Sequence, residues 1–235
     1  MLFRSLSNTD TITSWLEPGG KGGVQDWNNL RAEKSLSSQN VPQHLIVSYV
    51  LDLPFGRNQK FASDLPPLAN KVVGGWGFDG VTTFQNGFPI NIASGGNGVN
   101  YYGGGLRPNV VAGCKKATSG SGAARVLSGL AGNAGWINPA CFTTPAPYTW
   151  GNEPRVDSLQ ASGIDNWDFA VFKHTAFGPD QKLGFEFRAE LFNTFNRVQF
   201  NPPSNTTGSA GFGEITGQGQ LNNPRLVQFA GKVVF

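Results

Sequence analysis

Five stretches of this chain alternate apolar with polar or small residues at a period of two, the pattern of strands that hide one face. Arg225 to Phe235 places Val227, Phe229, Val233 and Phe235 on one face, with Gly231 among them, and Gln228, Ala230 and Lys232 on the other. His44 to Leu53 aligns Leu45, Val47, Tyr49, Leu51 and Leu53 and then meets Pro54-Phe55-Gly56. Lys71 to Phe84 aligns Val72, Trp76, Phe78 and Phe84, with Gly74, Gly80 and Thr82 between them. Asn166 to Lys173 sets Trp167, Phe169 and Val171 against Asn166, Asp168 and Ala170. Lys182 to Phe195 sets Leu183, Phe185, Phe187, Ala189 and Leu191 against Gly184, Glu186, Arg188 and Glu190. A helix would scatter these sets around its circumference. All five are predicted strands.

The tail has the length of a tilted strand that crosses a bilayer, and it stops on an aromatic residue, as the closing strand of an outer-membrane barrel does at its aromatic girdle. The same alternation suits an edge or core strand of a soluble sandwich, so the connections become the second test. Phe177-Gly178-Pro179-Asp180 reads as a tight turn. About seventy residues separate Ile92 from Asn166, and about thirty separate Phe195 from Arg225. Structureless connections beyond roughly 15 residues are uncommon in compact soluble domains. Counting strand directions back from the tail puts both very long connections on one side and the Gly178 turn and the Pro54–Asn70 link on the other. Outer-membrane barrels have that asymmetry, with short periplasmic turns and long extracellular loops.

Composition fits the same class. The chain has 32 Gly and 15 Pro in 235 residues, and only 14% of its residues are charged, against roughly 25% in ordinary soluble domains. The net charge of +3 is scattered, with no basic run interleaved with aromatics, so a nucleic-acid partner is not expected. No apolar run is long enough for a transmembrane helix, which leaves a strand-built membrane protein open. The start, Met1 to Asp10, lacks an apolar core region and a cleavage site. A barrel must be exported, so either the chain is a piece of a longer protein or the barrel reading fails. Cys114 and Cys141 share the long connection, and an oxidising compartment would join them in a disulfide.

Several segments then resemble one family. Gly211–Thr216 (G-F-G-E-I-T) and Asn223–Phe235 (N-P-R-L-V-Q-F-A-G-K-V-V-F) are similar to the C-terminus of TonB-dependent outer-membrane receptors, in the Oar-like branch whose members contain a carboxypeptidase-regulatory-like domain. Phe187–Pro203, Asn166–Lys173, Trp136–Phe142, Tyr49–Gly56 and Gly74–Pro89 match in family order. The match runs from about Asn29 to the end, with residues 1–28 as a poorly matched upstream strand and loop remnant. The resemblance implies an all-β fold: an antiparallel transmembrane β-barrel segment of about six visible strands, with a long extracellular loop over about 94–165. Barrels of this class have roughly 22 strands, and open edges are not tolerated in lipid, so the expected object is an incomplete barrel, the C-terminal portion of a receptor for an unidentified substrate. Its expected partners are outer-membrane lipid, the receptor's plug and upstream strands, and the barrel-assembly machinery through the C-terminal signal Phe229, Val233 and Phe235. The TonB complex would be reached only through N-terminal parts absent from this sequence.

No catalytic constellation emerges, so an enzyme, a cofactor and a metal site are not expected. His44 and His174 fall on different strands, and the Gly95-Gly96 and Gly103–Gly105 clusters lack the context of a phosphate cradle. The candidates for ligand contact are the long-loop aromatics Tyr101, Tyr102, Trp136, Tyr148 and Trp150, which could equally pack the loop onto itself. Glu186, Arg188 and Glu190 are candidates for lining the lumen, and Trp76, Phe78, Phe185, Phe187 and Phe229 for facing lipid. Two rival readings stay open: a self-contained secreted or surface β-domain that binds glycans through aromatic loops, and a small autonomous eight-stranded outer-membrane barrel.

Overall fold

The computed structural model describes residues 2–4, 8–9, 24–95, 106–120, 124–126, 135–177, 183–217 and 224–235. Six strands form one antiparallel sheet: β1 (Leu2–Arg4), β2 (Gln43–Asp52), β3 (Trp76–Gln85), β4 (Ile164–Phe177), β5 (Leu183–Phe192) and β6 (Leu226–Val234). Each pairs with its sequence neighbour, so the sheet is an up-and-down meander with β1 and β6 at its open edges. Register puts Leu45 opposite Phe84, Phe78 opposite Val171, Val171 opposite Ala189 and Ala189 opposite Phe229. Partners in a ladder point to the same side. The apolar sets of the separate strands therefore merge into one continuous face.

The stretch expected as a strand from Lys71 to Phe84 divides in two. Lys71 to Val73 belong to a short helix, α1 (Pro67–Val73), and the strand begins at Trp76. Pro67 sits at the first helical turn, where its fixed φ helps and its missing N–H costs nothing. Gly74 and Gly75 then end the helix. Gly75 has φ +75°, and a side chain there would press on the His174 carbonyl. The strand expected to reach Phe195 ends at Phe192. Asn193 and Asn196, both at positive φ, turn the chain away, and the Asp168 carboxylate accepts the Asn193 backbone N–H at 2.8 Å.

Both long connections that follow β3 and β5, together with the segment preceding β2, lie at one end of the sheet and pack into a cap. The apolar core of the described residues is there. Ile90, Ile92, Trp136, Ile137, Phe142, Phe212 and Ile215 bury one another across segments far apart in sequence. Short ladders tie it down: Asn109–Val110 with Phe142–Thr143, and Ala93–Ser94 with Thr206–Thr207. Val24 and Gln25, upstream of residue 29, are buried in the same unit.

Candidate membrane interface and polar lining

The two faces of the sheet differ in chemistry because each strand alternates. On one face, Tyr49 stacks on Phe78 at 5.7 Å, Phe78 meets Phe169 at 5.2 Å, and Phe187 stacks on Phe229 at 6.2 Å. Gly80 makes room for this packing: a Cβ there would fall 2.7 Å from the Tyr49 ring and 2.8 Å from the Asp168 carbonyl. Trp76, Phe78, Phe185, Phe187 and Phe229 all lie on this face by register. Among the described residues only α1 at one rim and Phe195 at the other lie against it. Phe229 is 70% exposed, Val233 is exposed on the same strand, and Leu51 is exposed four strands across the sheet. Aromatic residues gather at both ends, with Phe84, Trp167 and Phe195 edge-to-face near the cap and Trp76 and Phe177 at the opposite rim. β3 has 10 residues; at about 3.3 Å per residue and a tilt of about 40°, such a strand covers about 25 Å of height, the apolar band of an outer-membrane barrel.

The other face carries Glu186, Arg188 and Glu190. Arg188 donates to Glu190 within its own strand at 2.7 Å and to Asp79 on β3 at 2.9 Å. It reaches Asp79 across the intervening β4, where Ala170 lies opposite both Asp79 and Glu190 and leaves space for the guanidinium. Glu186 stands 3.9 Å from the His174 ring nitrogen. Asp168 receives the side-chain amide of Asn166 at 3.0 Å. Asp79 was not anticipated as a partner. Its signal was its parity, out of phase with Phe78 in a strand whose in-phase residues are aromatic.

Of the loop aromatics, Trp136 is buried: its indole N–H donates to the Gln160 carbonyl at 2.8 Å, and the Arg125 guanidinium lies 3.5 Å from its ring centroid. It is a packing residue of the cap. Tyr148 is 81% exposed at a turn with φ +59°. Trp150 is partly exposed and borders a small cavity beside Gln25 and Glu33. Tyr101 and Tyr102 lie outside the described residues, as does the turn at Gly178. Cys114 and Cys141 are joined in a disulfide whose Cα atoms are 5.4 Å apart.

The cap also holds charges that periodicity could not reveal. Arg107 makes a two-pronged pair with Glu33, at 2.6 and 3.2 Å, both side chains buried. Lys116 is bonded to both Glu153 and Asp157. Burial, and then a hydrogen bond with Asp157, pushes the Glu153 carboxyl up to about 8. Despite burial, hydrogen bonds from Glu153 and Lys116 hold Asp157 below its ordinary range. A groove of about 750 Å³ opens between Phe88, Pro89, Ile90, Ala161, Pro202 and Pro203, with Asn91 and Asn205 at its wall. Phe88-Pro89 and Pro202-Pro203 come from two distant connections, so sequence reading did not unite them.

A family model described as "Outer membrane beta barrel domain" matches residues 4–228. Among curated proteins nothing matches this chain, and among solved structures nothing matches it either.

Proposed function

The chain belongs to the outer-membrane β-barrel domain family, and from that premise we propose that it is the C-terminal wall of a TonB-dependent receptor of the Oar-like branch, a transport component and not an enzyme. Outer-membrane placement sets aside the secreted β-domain. The observation that carries the proposal is the open six-stranded meander, with a bare aromatic face on one side and an ion-paired face on the other. In a membrane the bare face meets lipid, the Arg188 network faces the lumen, and the cap points outward. Edges cannot stay open in lipid, so upstream receptor strands complete the wall and a plug occupies the lumen against Asp79, Glu186, Arg188 and Glu190. The assembly machinery engages β6. Contact with the TonB complex comes through other parts of the receptor. The finer identity draws its support from the motifs at Phe187–Pro203, Gly211–Thr216 and Asn223–Phe235. The groove at Phe88 and Pro202 is where cargo contact is expected.

The small autonomous barrel is the alternative, equally compatible with the family and with strand parity. β1 and β6 run in opposite directions, so additional strands in even number could close the sheet. An immunoblot of fractionated source cells against the Asn223–Phe235 tail separates the two. The receptor reading expects a heat-modifiable outer-membrane band several-fold larger than 25.1 kDa. A band at 25.1 kDa in that membrane would refute it in favour of the small barrel.

A further inference from the structure

The link between β2 and β3 does not hang free below the sheet; it folds back onto the lipid-facing side. Three residues of the apolar face hold α1 in place. The Trp76 indole N–H donates to the Val72 carbonyl at 2.8 Å. The Lys173 ammonium donates to the carbonyls of Val72 at 3.0 Å and Gly74 at 2.6 Å. The Lys71 ammonium sits 5.2 Å from the centre of the Phe177 ring. Trp76, Lys173 and Phe177 share the face of Phe78 and Val171 by register, so α1 lies on the outside of the wall, at the rim opposite the cap.

With its C-terminal carbonyls satisfied there, α1 turns its apolar residues away from the protein. Leu68 and Val72, one helical turn apart, are 80% and 69% exposed. Phe55 and Phe61 of the same link are also exposed and pack on each other at 5.5 Å. Residues 54–75 carry three cations (Arg57, Lys60, Lys71) against one carboxylate (Asp64). An apolar ridge flanked by cations, continuous with a lipid-facing sheet, is the composition of a segment lying in a membrane interface.

We propose that α1 and its link form an interfacial anchor: Leu68 and Val72 enter the acyl region of the phospholipid leaflet at this rim, while Lys71, Lys60 and Arg57 reach its phosphates. A short apolar helix left in water would cost burial without return, whereas in the interface it fixes the depth of the rim. The inference rests on the reading that the aromatic face of the sheet meets lipid.

The test uses the protein as it exists, isolated from the outer membrane in the assembly it forms there, with its native disulfide intact, and reconstituted into vesicles of phosphatidylethanolamine and phosphatidylglycerol. Single cysteines at Leu68→Cys and, separately, Phe229→Cys are labelled with an environment-sensitive fluorophore. Quenching is compared between lipids carrying a nitroxide near the headgroup, lipids carrying one deep in the acyl chain, and aqueous iodide. The expected result is deep-nitroxide quenching at position 229. Position 68 should show near-headgroup quenching, a blue-shifted emission and protection from iodide. Quenching at 229 combined with iodide access and no lipid quenching at 68 overturns the anchor alone. Loss of lipid quenching at 229 overturns the facing of the sheet, and the anchor with it. A second variant, Leu68→Asp with Val72→Asp, read with the fluorophore at Phe61→Cys in the same link, is expected to raise iodide quenching severalfold; unchanged quenching would also refute the anchor.

Discussion

The Glu33–Arg107 pair joins the segment before β2 to the long connection after β3, and it is the interaction whose removal should tell most about the cap. The Glu33 carboxylate takes two bonds from the Arg107 guanidinium and a third from the Gln25 backbone N–H at 3.2 Å. The Arg107 backbone N–H in turn donates to the Gln25 side chain at 2.8 Å. Both charged side chains are almost wholly out of water, at 6% and 2% exposure. Arg107→Met leaves a buried carboxylate without its cation, and breaking such a pair from one side costs about 3–5 kcal/mol. Glu33→Met alone strands the guanidinium at a similar cost. Removing both charges together relieves that penalty and leaves chiefly the lost Gln25 bond, about 1 kcal/mol. Hydrogen exchange followed by mass spectrometry over residues 106–120 and 149–158 of the folded protein reads local opening. Each single variant should exchange faster by about two to three and a half powers of ten, and the double variant by about one power or less. If the two single effects simply add in the double variant, the pair is not coupled and the account of the cap as an ion-locked unit is wrong.

Phe187→Arg places a charge on the lipid-facing side beside Phe229 and should cost about 2–4 kcal/mol of folded stability in bilayers; Ser48→Arg on the opposite face is the control, and equal urea midpoints for the two would show the faces to be misassigned. Glu153 should make the cap less stable as pH rises from 4.5 to about 8, because across that window the folded carboxyl keeps a proton that the unfolded chain has released. Asp157, held low, works in the opposite sense only below its ordinary 3.8, and Lys116, raised despite burial by its hydrogen bonds to Asp157 and Glu153, loses its contribution only above 10.5. Glu153→Gln should flatten the pH dependence of exchange, corrected for intrinsic rates, between those limits, and an unchanged slope would assign it elsewhere. Replacing Cys114 and Cys141 by Ser opens a loop of 27 residues and should cost the cap about 3.5 kcal/mol by loop-closure entropy, measured by the same exchange experiment; protection equal to that of the unmodified protein would mean that the cap core alone holds the loop.

Sequence alone determined the strands and their two faces. Alternation is a local property, set by the pleat, and it survives whatever partner a strand finds; Phe78, Phe169 and Phe187 were legible as one chemical class before any pairing was known. The direction of successive strands, and hence the collection of long connections at one end, followed by counting. What alternation could not show was where it stops. Val72 is in phase with Trp76 as a strand would be, yet Pro67 starts a helix and Gly74-Gly75 ends it, and only the contacts of Trp76, Lys173 and Phe177 reveal which side of the wall that helix covers. Partners in space were equally hidden. Asp79 meets Arg188 across an intervening strand, Glu33 meets Arg107 from 74 positions away, and Trp136 disappears into a core built from four separate segments. These pairings depend on how loops close over one another, a choice made by burial of apolar surface and satisfaction of charge together, and no periodicity within a single segment encodes it.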